Sequence, residues 1–121
     1  MYWKTYKWGA IWSLFILIIC SVHGTNLPSS NFLVSIHFDK IVHLILYLIL
    51  FLLLKNDVYL ILNSTFIFPM VYSVSYGIFI EVVQHYFIPG RTADINDVYA
   101  DVLGVLIGMI IALYFKNKPS N

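Results

Sequence analysis

Three segments of this chain carry ionisable side chains at spacings that gather them on single helical faces. Asp39, His43 and Tyr47 follow i, i+4, i+8, with Lys40 beside the first of them. Glu81 is followed by Gln84 and His85 at i+3 and i+4. Asp94, Asp97, Asp101, Gly104 and Gly108 step by 3, 4, 3, 4, which draws one stripe along a helix. A histidine, a glutamate and several aspartates are the residue types of general acid–base work and of divalent-cation binding, and a lysine or arginine is what meets a phosphate. The candidate catalytic residues are His43, Glu81 and Asp97: His43 and Glu81 as a proton-transfer pair, and Asp97, with Asp94, to hold a metal or orient the histidine. The candidate ligand-binding residues are Asp39, Lys40, Tyr47, Gln84, Arg91, Asp94 and Asp101. No nucleophile motif, glycine-rich phosphate loop or metal signature of known spacing accompanies them, so reaction, cofactor and metal content stay open. Asp94 and Asp97 also suit the N-cap and first turn of a helix, a role compatible with function.

The elements that position these residues are apolar. Of 121 residues, 60% are hydrophobic and 11% charged, against about 25% charged in soluble domains. Too little polar surface remains to cover such a chain in water, so lipid is its expected solvent. Apolar stretches at about 8–22, 37–54, 64–88 and 94–115 predict an all-α, four-helix transmembrane bundle forming one domain. Lys55-Asn56-Asp57 is the expected stop of the second stretch. The apolar run beginning at Val58 is longer than one bilayer crossing, so its first turns up to Asn63-Ser64-Thr65 are expected in the interface. Pro69 then marks either a kink or the true start of the third helix. Pro89-Gly90-Arg91-Thr92 reads as a turn. The N-terminal stretch is expected to stay as an anchor, because Ser21-Val22-His23-Gly24 is a poor signal-peptide cleavage site. The single Cys20 says nothing about redox compartment.

Charge distribution predicts orientation. If helix ends alternate, one side carries Lys4, Lys7, Lys55, Lys116 and Lys118 against Asp57, a net of +4. The other carries Lys40 and Arg91 against Asp39, Glu81, Asp94, Asp97 and Asp101, a net of −3, and the two give the chain's +1. Five basic residues against two place both termini in the cytoplasm of a multi-pass inner or plasma membrane protein, with the polar cluster outside. His23, His37, His43 and His85 all fall on or near that outer side. Small residues should draw the helices together beneath the cluster: Gly104-x-x-x-Gly108 on the fourth helix, and Gly77 between Ser73 and Glu81 on the third. A carboxylate at mid-membrane is unfavourable by roughly 2.5–3.5 kcal/mol, so Glu81 and Asp101 should face inward and find partners, with Arg91 and Lys40 the obvious cations.

These positions resemble the VanZ-like family of small bacterial membrane proteins. The resemblance lies in Asp39-Lys40-x-x-His43-x-x-x-Tyr47, Glu81-x-x-Gln84, Pro89-Gly90-Arg91-x-x-Asp94-x-x-Asp97 and Gly104-x-x-x-Gly108, in order, over about residues 37–112. Asp101 departs from it, standing where the family is expected to carry an asparagine and adding a charge. The family is named for a glycopeptide-resistance accessory protein, so the resemblance implies a cell-envelope role and weight at these positions, but no reaction.

Three function classes follow. The first is a ligand-binding or catalytic site at the outer end of the bundle, acting on membrane lipid or on a lipid-linked or phosphate-bearing envelope ligand. The second is a non-catalytic accessory protein whose polar network fixes the fold for a partner, a second copy of the chain included. The third, a proton-coupled transporter, lacks polar residues in the inner half to complete a path. No basic patch suggests nucleic acid.

Overall fold

The computed structural model describes residues 7–21, 38–62 and 66–117, the side chains of 57–62 excepted. His23, His37 and the expected break at Asn63-Ser64-Thr65 lie outside these residues, as do Lys4, Lys118 and the side chain of Asp57. Four helices make up the described structure: α1 (Lys7–Cys20), α2 (Phe38–Leu62), α3 (Ile67–Phe87) and α4 (Ile95–Lys116). Both α3 and α4 are long and apolar enough to cross a membrane, and α1 is a shorter apolar helix.

Local chemistry accounts for both ends of α3 and for the start of α4. In α3, Pro69 occupies the third helical position, where its missing N–H removes no helical bond; the first ladder bond runs from Met70 N to Phe66 O at 3.0 Å. Pro69 therefore marks the start of α3, and no kink. At the other end Ile88 precedes Pro89 and is extended (φ −110°, ψ 112°), the conformation proline imposes on its predecessor. Pro89 and Gly90 then form the centre of a turn closed by Arg91 N to Ile88 O at 3.2 Å, and Gly90 takes the positive φ of 78° that a side chain would resist. Asp94 caps α4, its carboxylate accepting from Asn96 N at 2.9 Å.

One expected boundary is wrong. Lys55-Asn56-Asp57 does not end the second helix, which continues through it to Leu62. None of the three residues is a helix breaker of the rank of proline or glycine, and each sacrifices only a few tenths of a kcal/mol of propensity. The apolar run after Asp57 thus opens as the last turns of α2.

The helices run up and down, and α2 packs on α4 over the bundle's most extensive interface. Gly104 makes this possible: a methyl group there would overlap the carbonyl oxygen of Leu44, so the two backbones touch. Four residues on, a methyl at Gly108 would meet Phe51 Cδ1 at 3.0 Å and Leu48 O at 3.3 Å. The buried face of α4 is Asp97, Ala100, Asp101, Gly104, Val105, Gly108 and Ala112, which contains the stripe expected from spacing. Ser73, Gly77 and Glu81 likewise share the buried face of α3. Beneath the polar end the core is Ile16, Leu46, Tyr47, Leu50, Phe51, Leu54, Ile80 and Val105. Outward faces carry Leu14 and Ile18, Ile41 and Ile45, Val71 and Ile78, Leu103 and Ile110, all exposed. Charge inside and bare aliphatic surface outside is the arrangement that lipid rewards and water does not.

Helix α1 is attached by hydrogen bonds. Trp12 Nε1 donates to Leu46 O at 2.9 Å, Tyr76 Oη donates to Ser13 O at 2.6 Å, and Ser13 Oγ lies 3.1 Å from Tyr72 Oη. At the polar end Gln84 Nε2 donates to Cys20 O at 3.0 Å, satisfying a carbonyl that the end of α1 leaves open.

Candidate functional site

The N-terminal ends of α2 and α4 and the C-terminal end of α3 meet at one end of the bundle, and nearly all the expected residues meet with them. Lys40 is the hub. Its Nζ lies 2.7 Å from Asp39 Oδ2, 2.6 Å from Asp94 Oδ2 and 2.7 Å from Asp97 Oδ1. Asp39 is exposed at the rim, whereas Asp97 is buried against the α2 face. The Lys40 ammonium beside it is the main reason the Asp94 carboxyl is held below the usual aspartate range, with the capping bond from Asn96 adding to it.

One turn deeper, His43 is buried and its Nδ1 stands 2.8 Å from Asp101 Oδ1. With Asp101 ionised, Nδ1–H donates to the carboxylate, and this leaves the Nε2 lone pair free on the opposite side of the ring. That nitrogen points toward Asp97, whose Oδ2 is 3.8 Å away, too far for a hydrogen bond. Tyr47 stacks below the imidazole with the two rings 8° from parallel. Glu81 enters from α3. Its Oε2 accepts from Asp94 N at 3.0 Å, which ties the last turns of α3 to the cap of α4. Ligand atoms of His43, Glu81 and Asp97, one from each residue, lie within 4.8 Å of one another.

Arg91 does not join them. Among the described residues no carboxylate lies within ion-pair distance of its guanidinium, so the expected Glu81–Arg91 pair is replaced by the bond from Asp94 N. Arg91 itself is half-buried in the turn between α3 and α4. Gln84 is buried and joins α3 to α1, a positioning role; His85 accepts from Ala93 N at 3.3 Å across the turn. Gly77 does more than pack: a methyl there would lie 2.6 Å from Asp101 Oδ2, so α3 presents bare backbone to that carboxylate.

The electrostatics are unbalanced. Asp39, Glu81, Asp94, Asp97 and Asp101 contribute five carboxylates, and Lys40 is the one lysine or arginine among the described residues that pairs with any of them. Glu81 Oε1 and Asp101 Oδ2 are buried without a hydrogen-bond partner, as are Tyr47 Oη and Ser73 Oγ. An ionised buried oxygen without a donor is among the least favourable states available to a protein, and oxygens left so are set to receive a proton, a donor or a cation. Spacing placed Ser73 on the packing stripe with Gly77 and Glu81, and not among the candidate site residues.

No curated protein and no solved structure matches the chain. The family model described as VanZ/LLP1 does, over residues 2–116. With a match across almost its whole length, this chain belongs to the VanZ/LLP1 family.

Proposed function

We propose that the protein is a multi-pass membrane protein of the cell envelope that binds, and acts on, an anionic lipid-linked or phosphate-bearing ligand at the end of the bundle formed by α2, α3 and α4. The observation that carries this reading is the buried set His43, Glu81, Asp97 and Asp101, held inside an apolar bundle with two carboxylate oxygens left without partners. A purely structural network would have its groups satisfied, because each unsatisfied buried group costs roughly 1–3 kcal/mol. Lys40, partly exposed at the rim, is the cation that would meet the anion, which must displace one of the three carboxylates now taking up its N–H donors. Both termini are cytoplasmic in this reading, and the site opens at the outer face.

The test is substitution in the cell. Glu81→Gln and His43→Ala are expected to reach the membrane folded and at normal level but to lose the phenotype of the intact gene. Full phenotype in both, at wild-type level, would sink the proposal. A second reading, a non-catalytic accessory protein, is favoured by one observation: two of the three Lys40 ion pairs, those to Asp94 and Asp97, join α2 to the start of α4 and stabilise the fold as they stand. Loss of folding in both variants would move the assignment to it.

A further inference from the structure

We infer that His43, Glu81 and Asp97 bind a divalent transition-metal ion, Zn2+ or Mn2+, between α2, α3 and α4. The inference rests on the reading of this end of the bundle as a ligand site and narrows it to a class of ligand. Three features of the structure point to a cation. The three residues offer one nitrogen and two carboxylate oxygens whose ligand atoms all lie within 4.8 Å of one another, and all three residues are buried. Donors at the corners of a triangle with that side stand at most about 2.8 Å from its centre, so each moves inward by no more than about 0.6–0.8 Å to reach the 2.0–2.2 Å of a zinc bond.

The second feature is independent of the cluster's composition. Glu81 is 5% exposed, and its Oε1 is buried with no donor, although its other oxygen is satisfied by Asp94 N. A carboxylate shaped only to hold the α3–α4 junction needs one oxygen; the other is supplied to something else. Thirdly, the histidine is prepared. Asp101 Oδ1 at 2.8 Å from Nδ1 fixes the tautomer that presents a bare Nε2, the carboxylate–histidine arrangement that orients an imidazole toward a metal. Asp97 is divided in the same way, Oδ1 to Lys40 and Oδ2 toward Nε2.

The mixed donor set selects the ion. One imidazole with two carboxylates suits Zn2+ or Mn2+ better than Ca2+ or Mg2+, which take oxygen alone, or copper(I), which prefers sulfur. Three protein ligands leave a coordination position for water or for an oxygen of an anionic ligand, beside the Lys40 ammonium. A second acidic group, Asp39, Asp94 and Asp97, is already occupied by Lys40 and is not the site.

The experiment uses the full chain in detergent, purified without a histidine tag, loaded with Zn2+, desalted and assayed for metal content. One Zn2+ per chain is expected in the wild type and in Tyr114→Phe, an exposed residue at the opposite end of α4. Close to none is expected in Glu81→Gln and Asp97→Asn, and a 10- to 100-fold weaker affinity in Asp101→Asn. A sample loaded with Mn2+ needs no variant: pulsed electron paramagnetic resonance is expected to show coupling to a single imidazole nitrogen. Substoichiometric Zn2+ in folded wild type, or Mn2+ without nitrogen coupling, overturns the inference. If Glu81→Gln loses its phenotype and wild type binds no metal, the metal is excluded and the ligand site survives. If metal binds but Glu81→Gln keeps full phenotype, the metal stands and the proposed function falls.

Discussion

Gly104 on α4 lies against the carbonyl oxygen of Leu44 on α2 so closely that no side chain fits between them. Gly104→Ala must therefore push two backbones apart, and overpacking of this kind destabilises by about 1–3 kcal/mol or more. Gly108→Ala should be milder, because one of its nearest atoms belongs to the movable ring of Phe51. Thermal unfolding in detergent checks the order; equal losses at the two positions would contradict the close-approach account.

Lys40→Met should destabilise by about 1–3 kcal/mol, mainly through the buried Asp97 left with an uncompensated charge. Lys40→Met with Asp97→Asn should recover part of that loss. Urea unfolding of the two variants against wild type measures it, and a double variant weaker than the single one by a full additive increment would rule out the coupling.

The Asp94 carboxyl is depressed by Lys40, so its charge contributes stability above the ordinary aspartate value of 3.8 and loses that contribution as pH falls through the lower folded value. Asp94→Asn keeps a capping side chain and removes only the charge. The stability gap between wild type and Asp94→Asn should hold steady from pH 7 to about pH 4 and close below it. Melting temperatures across that range decide the matter; a gap that widens toward acid would reverse the sign.

Orientation is directly measurable. A reporter active only outside the cytoplasm should stay silent when fused after Asn121 and become active when inserted between Pro89 and Arg91. The opposite pattern would place the site on the cytoplasmic face.

How much of this was legible in sequence depended on whether spacing or azimuth was needed. The α4 stripe from Asp97 to Gly108 follows from the 3–4 repeat, and the inward glycines follow with it. That Lys40 and not Arg91 gathers the carboxylates could not be read, since both flank the cluster and only the rotation of each helix about its axis separates them. The continuation of α2 through Lys55-Asn56-Asp57 was hidden for another reason: charge mimics a membrane boundary, while the backbone has no reason to stop there. The bonds from Trp12 and Ser13 depend on which neighbour α1 faces, and a lone polar side chain in an apolar run carries no such information.

The contact at Gly104 also has a mechanical meaning. Lys40 and His43 ride on α2, and Asp94, Asp97 and Asp101 on α4, so five of the polar residues belong to two rods welded backbone to backbone. Glu81 alone is carried by α3, braced to that unit by its strut to Asp94 N and the short Pro89–Gly90 elbow. The close approach at Gly104 thereby fixes five of these groups relative to one another, and Glu81 is the one acid that a third helix brings to them.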